Sequence, residues 1–317
     1  MIVTTSRFVR VPPVLLVAGV VLVLGAAGLL AACGGSDSSG SSSPPTSGAS
    51  SASNVTAPPA TPTPSASPSS GPSTTSLTIY FVRNGALGVA ERVTASTTAP
   101  ATAAMKTLLG GPSGAEVSGG LSSDIPAGTS LNSLSLDAGT ATVDLSSDFA
   151  APAANAVAAR RVAQVVFTLT RFPTVARVAL LVDGKPLTEI PSGGTEGSPD
   201  ALTVDGPQAR TQPWTSFEPA IFVEDPGAGA ALTNPFVLSG SASVFEGSFT
   251  ARLVDSSGRR VASATVQASR GAPGRGRFSQ TIAFSTAAAS GTLIVYSQSM
   301  EDGSRQNEVS IPVTFVK

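Results

Sequence analysis

The sequence contains no histidine and one cysteine, Cys33. Without histidine there is no Ser-His-Asp or Cys-His nucleophilic site, no imidazole base and no His-ligated metal or haem. One cysteine makes no intramolecular disulfide, zinc knuckle or iron-sulfur centre. Basic charge is not in excess, since 19 Lys and Arg face 20 Asp and Glu. A surface of that kind releases few counterions from nucleic acid, so no DNA or RNA partner is expected. Carboxylate chemistry, a Lys or Tyr base and calcium held by oxygen ligands survive this filter. None of them has a visible motif, and the expectation is a protein that is not an enzyme and carries no cofactor or metal.

What is present begins with a targeting pattern. Arg7 and Arg10 precede an uncharged run from Val11 to Leu30, long enough by itself to span a bilayer. The run ends in Leu30, Ala31, Ala32, Cys33 and Gly34. A large aliphatic three residues before a cysteine, with two small residues between, resembles the lipobox of bacterial lipoproteins. That resemblance implies a signal peptide over residues 1–32, a diacylglycerol on Cys33 and a location outside the cytoplasmic membrane. An uncleaved anchor with an incidental Cys33 is the alternative. Loss of residues 1–32 removes Arg7 and Arg10, leaving 17 basic residues against 20 acidic ones.

Residues 33–76 read as a tether. From Gly34 to Ser76 the chain is almost entirely Ser, Thr, Pro, Gly and Ala, with Asp37 its only charge. Such a segment buries too little apolar surface to offset the entropy of ordering and is expected to be disordered. As a flexible coil it would span roughly 35 Å.

Length divided by about 150 residues points to two domains in the remainder. In the first, Leu77, Ile79 and Phe81 alternate as in a strand, and Pro100 to Leu109 reads as a helix stopped by Gly110, Gly111 and Pro112. Leu131 to Asp137 and Thr140 to Leu145 form a hairpin with Ala141, Val143 and Leu145 inward. Pro152 to Phe172 is the clearest helix, with Ala158, Val162, Val165, Leu169 and Phe172 on its core stripe and Arg160, Gln164 and Arg171 opposite. Val175 to Val182 is a final strand. The order β-α-β-β-α-β predicts an α+β domain with helices on one face of the sheet.

The segments LTIYFVR, LLGGP, TVDLSSDF and VARVALLVDGKPL together resemble the GerMN domain, named from bacterial spore-germination and sporulation lipoproteins. The resemblance covers residues 77–205 and implies assembly and no catalysis. Residues 206–218 connect the domains and carry Trp214, expected to pack between them. From 219 to 317 all runs are strand-like, which predicts an all-β immunoglobulin-like sandwich. AIFVEDP at 220–226, NPFVLSGSASVFEGSF at 234–249, LIVYSQSMEDGS and IPVTF resemble the Gmad2 domain, an immunoglobulin-like module also named from germination proteins. Lipobox, GerMN and Gmad2 in this order resemble envelope lipoproteins of actinobacteria, including many that never sporulate.

Several residues invite chemistry. Asp144 and Asp148 could pair as acid and base, but their place in VDLSSDF points to a turn, with Ser147 or Asp148 capping amides. Glu224, Asp225, Glu246, Glu301 and Asp302 could line a calcium site, although no Asp-x-Asp-x-Asp-Gly loop is present and solvated loop charge is the expected state. Arg270, Arg275 and Arg277 could meet acidic wall polymers, or lie in a solvated loop. Phe245 is expected in the core, with an exposed partner contact as the alternative.

These readings predict a non-catalytic extracytoplasmic lipoprotein, anchored to the membrane through Cys33, that acts as a scaffold by binding an envelope protein or itself. The alternative is a binder of cell-wall or capsule glycan, using sandwich loops and Trp214. A carboxylate-based glycan hydrolase would need two carboxylates about 5 to 10 Å apart across a cleft.

Overall fold

The computed structural model describes residues 73–193 and 201–316. The signal-peptide and lipobox residues Leu30, Ala31, Ala32 and Cys33, and the tether up to residue 72, lie outside the described residues. Among the described residues no helix is long and apolar enough to cross a membrane.

The first domain opens with strands β1 (Thr74–Arg83) and β2 (Ala86–Ala95), paired antiparallel as a two-stranded sheet. Asn84 and Gly85 turn the chain between them with φ of 51° and 76°, the left-handed pair that a two-residue hairpin requires. Strand β1 thus begins inside the segment expected to be tether, and β2 was not expected at all. The reason is burial on both faces. Leu87, Gly88, Val89 and Ala90 are consecutive and all buried, so the strand shows no alternation.

Helix α1 (Pro100–Leu109) has Pro100 in its first turn and ends at Gly110 and Gly111 as expected. A short helix α2 (Gly114–Ser118) follows, closed by a capping box between Ser113 and Glu116. Strands β3 (Leu131–Asp137) and β4 (Thr140–Leu145) form the expected hairpin, and Ala141, Val143 and Leu145 are buried. A 3-10 turn over Ser147–Ala150 leads to α3 (Asn155–Leu169). Strand β5 (Arg177–Val182) then pairs parallel with β4, and β6 (Lys185–Pro186) closes a sheet ordered β3-β4-β5-β6. Two short strands, β7 (Glu189–Ile190) and β8 (Leu202–Thr203), pair with each other.

Helix α3 departs from the simple amphipathic expectation. Gln164, assigned to the wet side, is buried, as is Arg161. The helix is covered on two sides. Gln164 donates to the Tyr80 carbonyl and accepts from the Asp124 amide at 2.9 Å. Arg161 donates to the carbonyls of Phe149, Ala151 and Asp124, which fixes the turn before the helix.

The second domain is the expected sandwich. Its strands are β9 (Ile221–Asp225), β10 (Ala231–Leu232), β11 (Phe236–Ala242), β12 (Ser248–Asp255), β13 (Arg260–Gln267), β14 (Gly276–Ile282), β15 (Ser290–Gln298) and β16 (Arg305–Phe315). One sheet is ordered β10-β16-β15-β12-β13 and the other β14-β11-β9. The architecture is an α+β domain followed by an all-β immunoglobulin-like sandwich.

The described residues form one compact unit. The two domains meet through backbone pairing. Ala228, in the loop after β9, donates to the Val89 carbonyl at 2.9 Å and accepts from the Glu91 amide at 2.8 Å, so the loop extends the edge of β2. Gly227 allows the approach, because a Cβ there would stand about 3.0 Å from backbone atoms of Ala90 and Glu91.

Candidate functional site

A buried polar cluster lies at this junction, and sequence reading missed its centre. Arg210 comes from the connecting segment, Tyr80 from β1, Phe167 from α3, and Glu224 and Phe222 from β9. The connection is not a free linker. Gln208 exchanges two backbone hydrogen bonds with Val178 of β5, at 2.7 and 2.8 Å, and its side chain accepts from Trp214 Nε1 at 3.0 Å. Trp214 is 3% exposed and so cannot offer its ring to a sugar.

The Tyr80 hydroxyl donates to Glu224 Oε1 at 2.6 Å, and Arg210 Nη2 lies 2.7 Å from the same oxygen. The guanidinium also stacks on Phe167, its carbon 4.2 Å from the ring centroid. Tyr80, Phe167 and Phe222 form a mutual triad with centroids 5.5 to 6.2 Å apart. The pair then extends outward. Arg210 Nη2 stands 3.7 Å from Glu218 Oε1, and Glu218 Oε2 accepts from Ser241 at 2.9 Å and faces Arg275 Nε at 3.4 Å. Burial, then the Glu224 charge, pushes the Tyr80 phenol well above its ordinary value. Burial opposes the charge on Arg210, but the Tyr80 oxygen and the glutamates outweigh it and hold the guanidinium protonated.

This cluster can lock two domains together. Glu224 is therefore not a calcium ligand in a loop, as the sequence allowed, because β9 turns it inward onto Arg210. Glu246, Glu301 and Asp302 are exposed on other loops, and no three carboxylates gather among the described residues. Asp225 is half-buried, its carboxyl raised by burial and by the nearby Glu91.

The other candidates separate in the same way. Asp144 on β4 accepts from the Gly184 amide of the β5–β6 turn at 2.9 Å, and Asp148 accepts from Ser146 Oγ at 3.2 Å, so the two bind different turns. The turn at 147–150 has Ser146 at its cap position, and the expected capping by Ser147 or Asp148 does not form. Of the three loop arginines only Arg270 and Arg277 face solvent, Arg277 being 82% exposed. Arg275 is only partly exposed, because it donates to the carbonyls of Glu218 and Pro219 and to Ser241 Oγ at 3.0 Å. Phe245, expected in the core, is 58% exposed. It lies in a 3-10 turn beside Glu246, whose φ is 53°, so strand alternation does not apply to it. Phe245 and Met300 line one open groove at an end of the sandwich.

Comparison with known proteins agrees with both resemblances. Residues 78–188 match the Germane family, described as sporulation and spore germination. Residues 220–304 match Gmad2, the immunoglobulin-like domain of bacterial spore germination. The first GerMN domain of the sporulation protein GerM from Bacillus subtilis is 26% identical, with 43% of this chain and 98% of that one covered and a TM-score of 0.36. The tandem GerMN domains of the same protein are 18% identical over 68% of this chain and 63% of that one, with a TM-score of 0.36. A putative lipoprotein from Clostridium perfringens is 18% identical over 43% and 88%, with a TM-score of 0.31. No curated protein matches the chain. Neither matched family is an enzyme family.

Proposed function

We propose, for a chain that carries a Germane (GerMN-type) domain and a Gmad2 domain, a non-catalytic scaffold of the cell envelope. It is lipid-anchored at Cys33, outside the cytoplasmic membrane, and binds an envelope protein or a second copy of itself. The observation that supports assembly is strand β3. It is the outermost strand of its sheet, seven residues long, and carries Leu136 at 48% exposure. Such an edge presents unpaired amides and carbonyls that another strand can continue. The ladder alternates, and the two-residue turn makes Asp137 and Thr140 a hydrogen-bonded pair, so the Leu136 amide faces the open side.

The experiment is in-cell crosslinking with a photoreactive residue at position 136, and a control at exposed Arg270, followed by mass spectrometry. One reproducible protein or self-product, specific to position 136, is the expected result. Products equal at both positions, or only glycan fragments, would overturn the scaffold reading. The anchor has its own test: the intact mass of the membrane-bound protein should show loss of residues 1–32 and a diacylglycerol on Cys33. A membrane-bound chain with Cys33 unmodified would disprove lipidation as the means of attachment.

A further inference from the structure

The open edge of β3 has a defined length and a defined face. Its pairing with β4 is regular from Ser133 to Asp137 and breaks between Leu131 and Ser133, where the register shifts. Along the regular stretch Ser133, Ser135 and Asp137 turn their backbone groups toward β4, and Leu134 and Leu136 turn theirs outward. The side chains of the same two leucines lie on the core face of the sheet, opposite buried Val143 and Ala141. Beside them is a groove of about 360 Å³ between β3, the start of α1 and the residues after α3. Pro100, Thr102, Leu134, Leu136 and Phe172 line it, and no charged side chain does. The core of the first domain is therefore open along this edge.

A strand that continues the edge and closes the groove needs apolar residues two positions apart. The tether of this chain does not supply them, because Val55 is the only larger aliphatic between Gly34 and Ser76. Strand β3 itself does. When it is laid antiparallel on a second copy, with a two-fold axis at Ser135, the midpoint of the regular stretch, each Leu134 falls opposite Leu136 of the other copy. The hydrogen-bonding groups match as well, since the outward-facing ones belong to the same two leucines. Asp137, the one charge in the stretch, falls opposite Ser133. The two Asp137 carboxylates then stand about 14 Å apart along the strands, beyond the screening length in physiological salt.

We infer that two copies of this chain pair through β3, antiparallel and two-fold symmetric about Ser135. The pairing joins two four-stranded sheets into one continuous sheet across an isologous contact. Leu136, exposed in the single chain, is covered by Leu134 of the other copy. This pairing rests on the scaffold role proposed for β3 and names its partner.

The test is disulfide trapping of the full chain in intact cells. A non-hydrogen-bonded antiparallel pair holds its Cα atoms about 4.5 Å apart, within the span of a disulfide, and Ser135 faces its own copy at such a position. Ser135 is exposed, so Ser135→Cys leaves the packing undisturbed. Under a mild oxidant, Ser135→Cys should give severalfold more disulfide-linked homodimer than the parent chain, whose only thiol position is Cys33. It should equally exceed Ser256→Cys, in an exposed turn, and Ser133→Cys, whose two copies lie about 14 Å apart in this register. Leu136→Lys added to Ser135→Cys should return the dimer to background, because a lysine on an open edge opposes pairing and a single chain does not bury Leu136. A Ser135→Cys yield no higher than Ser256→Cys, an equal yield at Ser133→Cys, or a yield unmoved by Leu136→Lys would overturn self-pairing. One foreign protein captured at position 136, with no Ser135→Cys dimer, would overturn self-pairing and leave the scaffold role standing.

Discussion

Tyr80 and Glu224 are 144 residues apart in sequence, and the phenol of one donates to the carboxylate of the other at 2.6 Å across the domain junction. Arg210, from neither flanking strand, closes the triangle at 2.7 Å from the same oxygen. Both carboxylate and guanidinium are withdrawn from water, and each is tolerable only because the other is present. The junction is therefore specified by chemistry that neither domain supplies alone.

Replacing Tyr80 with Phe removes one hydrogen bond to a charged acceptor and leaves the ring packing intact. The expected loss is about 1.5 to 3 kcal/mol in denaturant titration. The alkaline limb provides a second readout. Folding raises the Tyr80 pKa, so the native state holds a proton that the unfolded chain releases near pH 10. Stability is complete below that value and falls as pH rises past it. In Tyr80→Phe this part of the decline should vanish; an unchanged alkaline profile would contradict the placement of the phenol.

Arg210→Met removes the charge while keeping a flexible apolar stem, and strands Glu224 and Glu218 in a buried setting. A loss of about 3 to 5 kcal/mol is expected. Arg210→Lys retains charge but loses the planar stack on Phe167, so it should fall between native and Arg210→Met. Adding Glu224→Gln to Arg210→Met should recover part of the loss, a non-additivity that a double-mutant cycle measures directly.

Gly227→Val tests the backbone bridge. The added side chain meets backbone atoms of Ala90 and Glu91 near 3.0 Å, which cannot move aside without breaking the β2 edge. Cleavage by protease within residues 206–219 should rise severalfold, with each domain's own core intact. Protection equal to native would show that the bridge does not hold the domains together.

Glu116 governs an acid-side effect in the first domain. Burial opposes its ionisation, but Arg92 and the Ser113 amide bond it strongly enough to hold its pKa below the ordinary 4.5. The native state then binds fewer protons than the unfolded chain at low pH. Its stabilisation is present above about pH 4.5 and is lost as pH falls through the depressed folded value. Thermal melts of Glu116→Gln should show lower stability at neutral pH and a shallower decline on acidification.

Where local pattern and tertiary environment agreed, the elements were legible in the sequence. The α1 boundaries followed from Pro100 and Gly110, and the β3–β4 hairpin from alternating apolar residues around Ala138 and Gly139. Strand β2 was hidden because Leu87 to Ala90 are buried on both sides. Phe245 was misplaced because one left-handed residue, Glu246, takes it out of the strand. The junction was the least visible part. Arg210 and Glu224 each look like ordinary loop or strand charges until the fold brings them onto Tyr80, and no spacing rule encodes contacts 130 and 144 residues apart.

The two family matches stop at residue 188 and resume at residue 220. The stretch they skip contains Gln208, Arg210, Trp214 and Glu218, which hold the two domains to one another. Neither domain is thus a portable cassette. A chimaera that grafts this sandwich onto a relative's first domain would bring Phe222 and Glu224 to a surface without their wedge, unless residues 206–218 and a Tyr80 equivalent travelled with it. A change at the junction in one domain consequently calls for a matching change in the other.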